Sequence, residues 1–172
     1  MTERSTDSEL NARPPEAGSP SQGESLPRRG CLLGIDYGTK RVGVSVSDVF
    51  QKLASPLHNY QRVSRTADEE FFRRLAAEYK VAGFVVGLPL HMNGDESQLS
   101  LEARTYGAWL QAITKLPITF QDERLTSAQA ELLLQAGNFT ETQRKARIDK
   151  LAAHVLLQDW LNLRQNQAKI ES

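Results

Sequence analysis

The sequence predicts an α/β fold in which a mixed sheet carries helices on both faces. Three observations carry this expectation. Two short apolar runs, Cys31–Ile35 and Ala82–Gly87, have the character of central strands buried on both sides. Strand-like segments crowd the first third and helix-like segments follow, so hairpins precede crossovers. A length of 172 residues with 40% hydrophobic and 24% charged residues describes one ordinary globular domain.

Residues 1–29 are rich in Ser, Glu, Pro and Gly and nearly lack large apolar side chains. Such a segment cannot offset its ordering entropy and is expected to be a disordered tail. The domain is expected to span 30–165, with a short C-terminal tail at 166–172. Its first strand is Cys31–Ile35, closed by a turn at Gly38. Val42, Val44 and Val46 alternate with small residues, a period-two strand. A weaker third strand lies near Ser55–Tyr60, and Pro56 assigns it to an edge. Ala67–Lys80 is a helix with Phe71, Phe72, Leu75, Ala76 and Tyr79 on one stripe. The buried strand Ala82–Gly87 and a polar loop, Leu90–Ser97, come next. Leu99, Ala103, Tyr106, Leu110 and Ile113 repeat at helical spacing. Pro117–Gln121 is a short strand, Ala128–Ala136 a helix stopped by Gly137, and the last helix runs from about Thr142 to Arg164.

Composition excludes several classes. Formal net charge is zero, so nucleic-acid binding requires a local basic patch. The single cysteine, Cys31, rules out an intrachain disulfide and a thiolate zinc site. No apolar stretch approaches the roughly 20 residues of a membrane span, and the N-terminus lacks a signal-peptide core. A cytoplasmic location is expected, with no membrane partner.

Acidic residues stand where composition disfavours them. Asp36 ends the most apolar strand, at the crevice where open sheets bind ligands; the alternative is a turn aspartate capping Tyr37-Gly38. Asp122 and Glu123 end a strand in the same way, though one of them could serve the next helix as a capping partner. Asp149 heads the apolar stripe Ala152, Ala153, Leu156, Trp160, whose small residues allow close approach to the sheet. Pairing to a nearby arginine is its structural alternative. Converging carboxylates repel one another unless a cation intervenes. Oxygen-only donors favour hard ions, Mg2+ or Mn2+, and two such ions suit in-line phosphodiester displacement.

Arg144, Lys145, Arg147 and Lys150 crowd the start of the last helix, where positive charge opposes the helix dipole. Phosphate binding would explain the placement. Lys40 and Arg41 follow Asp36, Arg124 follows Glu123, and all three could join that patch; a solvated charged face is the alternative. Such contacts position a nucleic-acid backbone without reading sequence. Glycines around Gly87-Leu88-Pro89 allow close backbone approach to a ligand. His91, in the loop beyond, reads as an exposed residue, and Trp109 and Trp160 read as packing.

These residues fall into four motifs: Gly34-Ile35-Asp36-Tyr37-Gly38-Thr39-Lys40 with Val42-Gly43-Val44; Val86-Gly87-Leu88-Pro89 with Met92-Asn93-Gly94; Asp122-Glu123-Arg124-Leu125-Thr126; and Asp149-Lys150-Leu151-Ala152-Ala153. In that order, across roughly Cys31 to Leu163, the chain resembles the YqgF family, the Holliday-junction-resolvase-like proteins also called pre-16S rRNA nucleases. The resemblance implies a ribonuclease-H-like mixed five-stranded sheet and metal-holding, catalytic carboxylates at Asp36, Glu123 and Asp149. It also implies processing of the 5′ end of 16S rRNA precursor. In such a fold the strand before Glu123 lies two positions from the strand ending at Asp36, nearly 10 Å away at about 4.8 Å per step. Unless that gap closes, Glu123 stays outside the metal's immediate ligands or joins them only with substrate bound.

Three rivals remain at this level. A Holliday-junction-type DNA resolvase would use the same carboxylates. An actin-like or sugar-kinase-like ATPase shares the Asp-x-Gly-Thr turn but needs two such domains. A non-catalytic RNA or ribosome-assembly module would keep the fold without turnover. Nothing in the sequence opposes a homodimer.

Overall fold

The computed structural model describes residues 25–123, 135 and 137–171, without the side chains of Asp149 and Lys150. Its strands are β1 (Cys31–Asp36), β2 (Arg41–Ser47), β3 (Ala54–Gln61), β4 (Val81–Leu88) and β5 (Ile118–Asp122). Its helices are α1 (Arg65–Glu78), α2 (Gln98–Thr114) and α3 (Glu141–Ile170). The five strands form one sheet in the order β3-β2-β1-β4-β5. β1, β2 and β3 pair antiparallel through hairpins, and β1, β4 and β5 pair parallel. Parallel neighbours need crossovers, which α1 and α2 supply. The expected mixed five-stranded sheet is present, and the Pro56 strand is at its edge.

Alternation along β1 sends Leu33 and Ile35 to one face and Leu32 and Gly34 to the other. The first face packs Val42, Val44, Phe84 and Val86 against Phe72 and Leu75 of α1 and Tyr106 and Leu110 of α2. The second packs Leu32, Ala54 and Val85 against Leu157 and Leu161 of α3. α3 comes close because its contact residues meet small ones: Ser45 Oγ donates to the Ala153 carbonyl at 2.7 Å, and a Cβ on Gly34 would lie 2.3 Å from Ser45 Oγ and 3.1 Å from the Ala153 carbonyl oxygen. The small alanines expected to admit the helix do so at Ala153, which is fully buried.

Helix starts follow local chemistry. Ser64 and Ser97 cap α1 and α2. Thr140 and Gln143 form a capping box at α3. Buried Asp68 closes the β3–α1 junction, accepting from Arg62 Nε and the Tyr60 hydroxyl, each at 3.0 Å.

Two boundaries differ from expectation. Leu26 is buried, and Arg164 donates to the carbonyls of Leu26 and Pro27, so the chain packs against the body before residue 30. The cause is a partner 138 residues away, which no local reading supplies. At the other end α3 continues past Arg164 to Ile170, because no glycine or proline interrupts it. The expected helix at Ala128–Ala136 lies outside the described residues apart from Gln135.

Candidate active site

Asp36 is the last residue of β1, one step beyond the Ile35–Val86 pair, with Gly43 of β2 opposite it. By alternation it points to the α3 face, and Gly87 of β4 lies on its other side. The carboxylate thus stands between two residues without side chains. Asn59 of β3, opposite Gly43, extends this row; its Oδ1 is buried with no hydrogen-bond partner among the described residues.

Glu123 follows the last residue of β5, and its N–H donates to the Leu88 carbonyl at 3.1 Å. Its side chain turns back over Gly87, and a Cβ built there would meet Glu123 Oε1 at 1.7 Å. By this path the carboxyl crosses β4 and hydrogen-bonds to Asp36. The 10 Å gap expected between the two strands is therefore closed by a side chain lying in the space that the glycine leaves. Gly87 does permit close approach, as its sequence context suggested, but the group that approaches is Glu123.

Electrostatics follow from this contact. Burial first, then the Asp36 charge and hydrogen bond, then Asp122, push the Glu123 carboxyl up to about 9. Without a cation, a proton shared between the acids relieves their repulsion, with Glu123 donating to Asp36. A hard cation can replace that proton, so the oxygen-only donor set fits Mg2+ or Mn2+. Among the described residues no three His, Cys, Asp or Glu converge as a metal-holding group. The expected third ligand, Asp149, has its side chain outside them. The backbone nevertheless constrains its place. Ala153 and Leu157 of α3 lie over Gly34, and Leu161 clusters with Leu26 and Leu32 farther down the sheet. α3 therefore runs away from the Asp36 end, and position 149, one turn before Ala153, lies toward it.

Lys40, Arg41, Arg144, Lys145 and Arg147 are all exposed. The last three occupy the first turns of α3, before position 149 and so at the same end of the sheet. The Arg147 guanidinium lies 4.2 Å from the Phe139 ring centroid. Arg124 and the Lys150 side chain are outside the described residues. His91 is exposed in the β4–α2 loop. Sequence reasoning missed Asn59 and the crossing role of Gly87; neither stands in a pattern visible before the strand order is known.

A family model described as "RuvX: Holliday junction resolvase" matches residues 30–163. A protein of Rhodopirellula baltica named "Putative pre-16S rRNA nuclease" is 40% identical over 138 residues, covering 80% of this chain and 80% of that protein. One of the same name from Lactococcus lactis subsp. cremoris is 46% identical over 134 residues, covering 76% of this chain and 93% of its own. Among solved structures, Thermus thermophilus RuvC aligns with a TM-score of 0.47 at 11% identity, over 79% of this chain and 96% of that one.

Proposed function

The chain belongs to the RuvX family, and from that premise we propose that it is a divalent-metal-dependent endonuclease acting in 5′-end processing of pre-16S rRNA. The observation that carries the site is Glu123 lying over Gly87 to reach Asp36. Asp36, Glu123 and Asp149 would hold Mg2+ or Mn2+. The bound cation supplies positive charge against the phosphodiester oxygens and lowers the pKa of water.

The protein's own residues do the rest. β1 fixes Asp36 at the sheet's end, with Gly43 on one side and Glu123 lying over Gly87 on the other. Glu123, beside Asp36, would be the second carboxylate to hold the cation, in its ionised form. Lys40, Arg41, Arg124, Arg144, Arg147 and Lys150 bind phosphates on either side and hold the strand in register. Position 149 sits at the head of the face that α3 presses onto the sheet, and the Ser45–Ala153 hydrogen bond fixes the height of that helix. Proximity and charge thus do the work, with no covalent intermediate on the protein.

The relatives' names support the ribosomal precursor as substrate, while the family description keeps a four-way DNA junction in view. A location in the cytoplasm accords with the substrate, and no described helix is long and apolar enough to cross a membrane. The test is cleavage of a 16S precursor RNA and a four-way DNA junction, each with and without Mg2+, by wild type and Asp36→Asn. Wild type should cut the RNA only with Mg2+, and the folded variant should not cut. Equal cleavage by the variant would end the assignment of Asp36; preferential cutting of the junction would move the substrate to DNA.

A further inference from the structure

On the face opposite the carboxylates, a cavity of about 610 Å³ opens between the β1–β2 turn and the N-terminal ends of α1 and α2. That volume lies within the range of roughly 300–1,000 Å³ typical of small-molecule sites. Tyr37, Tyr106 and Trp109 line it, each ring centroid 5.0 Å from the next and tilted by 45° and 42°. The Arg62 guanidinium lies 5.6 Å from the Tyr37 ring centroid and 5.2 Å from that of Tyr106. Arg62 is already paired with Asp68, so it offers a planar surface more than an uncompensated charge. Arg65, exposed at the mouth, and Glu102, which accepts from the Tyr37 hydroxyl at 3.3 Å, are the other charged groups of the lining.

Two further features point to a ligand. Tyr106 Oη and Trp109 Nε1 are buried and have no hydrogen-bond partner among the described residues. A buried donor without a partner is unfavourable, and a ligand carrying acceptors would satisfy it. Leu101, on the rim, is 49% exposed, and Val63 beside it is 79% exposed. Tilted aromatic rings, a planar guanidinium, unpaired donors and an apolar rim suit a flat ring with hydrogen-bond acceptors. Burial holds the Tyr106 hydroxyl well above the ordinary tyrosine range, so it remains a donor.

The cavity's place selects among such rings. Tyr37 directly follows Asp36, with Cα atoms about 3.8 Å apart, and alternation sends the two side chains to opposite faces. Because β1 ends at Asp36, a strand that passes over this end of the sheet could set a phosphate at Asp36 on one face and a neighbouring base at Tyr37 on the other. We propose that this cavity takes a nucleobase of single-stranded RNA next to the phosphodiester held at the carboxylates. The proposal rests on the nuclease reading for the identity of that strand.

Binding is tested in EDTA, where no cleavage occurs and failure of the nuclease reading leaves the signal intact. Tryptophan emission is titrated with AMP and, as a base-free control, ribose 5-phosphate. Anisotropy follows a fluorescein-labelled single-stranded RNA. AMP should quench emission saturably and ribose 5-phosphate should not, and Trp109→Phe should remove the quenching while Trp160 remains. Tyr106→Phe, which removes the hydroxyl donor, and Leu101→Glu, which puts a negative charge on the rim, should each weaken both AMP and RNA binding about fivefold, on the order of one lost hydrogen bond. Leu101 is exposed, so its variant stays folded even if the Tyr106 variant does not. No saturable quenching by AMP, together with RNA binding unchanged in Leu101→Glu, overturns the proposal. AMP binding with RNA binding unchanged in that variant assigns the cavity to a free nucleotide and overturns the substrate-strand assignment.

Discussion

Replacing Gly87 by alanine perturbs the site without touching any charged group. The added Cβ would lie 1.7 Å from Glu123 Oε1, 2.4 Å from its Cδ and 2.9 Å from its Cγ. Ordinary nonbonded contacts begin near about 3.5 Å, so the carboxyl must retreat by roughly 2 Å. An O–H···O hydrogen bond spans only about 2.5–3.0 Å, so a retreat of that size separates Glu123 from Asp36. Catalytic groups tolerate displacements of about 0.5 Å, and a misplacement of about 1 Å can cost on the order of 100-fold. Single-turnover, Mg2+-dependent cleavage of 5′-labelled 16S precursor RNA by Gly87→Ala should therefore fall by about 100-fold or more. Stability should hardly change, because alanine suits a buried strand and the atom it meets is the end of a side chain; the melting midpoint by circular dichroism should stay within about 4 °C. A folded Gly87→Ala protein that cleaves at the wild-type rate would refute the crossing of β4 as the route by which Glu123 reaches the site.

Other expectations follow from neighbouring features. Glu123 holds its proton up to about pH 9 in the folded state, against 4.5 for a free carboxyl. Across that window unfolding releases a proton, so metal-free stability should fall as pH rises; thermal melts at several pH values should show this slope, and Glu123→Gln should flatten it. Ser45→Ala removes the 2.7 Å hydrogen bond to Ala153 and should cost about 1 kcal/mol, lowering the melting temperature by roughly 2–4 °C, with a larger loss in kcat than in RNA affinity. Arg144, Lys145 and Arg147 changed together to alanine should weaken RNA binding irrespective of sequence. The slope of log affinity against log salt should fall by about 0.7–0.9 per phosphate contact removed; an unchanged slope would move the basic contact elsewhere.

Most of the architecture was legible because helix and strand periods are local properties. The apolar run at Cys31–Ile35, the valines of β2 and the stripes of α1 and α2 each report the face they bury, so element order followed directly. The edge position of β3 was readable from Pro56, whose ring cannot donate to a ladder. Expectation departed from structure where a distant residue decided the outcome. Leu26 looked like part of a polar tail until Arg164 and a pocket of side chains from four other elements met it.

The carboxylates show the same division. Their unusual positions at strand ends and at the head of an apolar helix face are properties of the chain, and sequence alone marked Asp36, Glu123 and Asp149. Family membership followed from the same short motifs. Whether Asp36 and Glu123 could touch depended on the order of strands, which places β4 between them, and on the absence of a side chain at Gly87. A sequence records that a glycine is present but not what fills the space above it. Only packing in three dimensions sets that, because strands adjacent in the sheet need not be adjacent in the chain, and the same reasoning applies to the ring-lined cavity behind Tyr37.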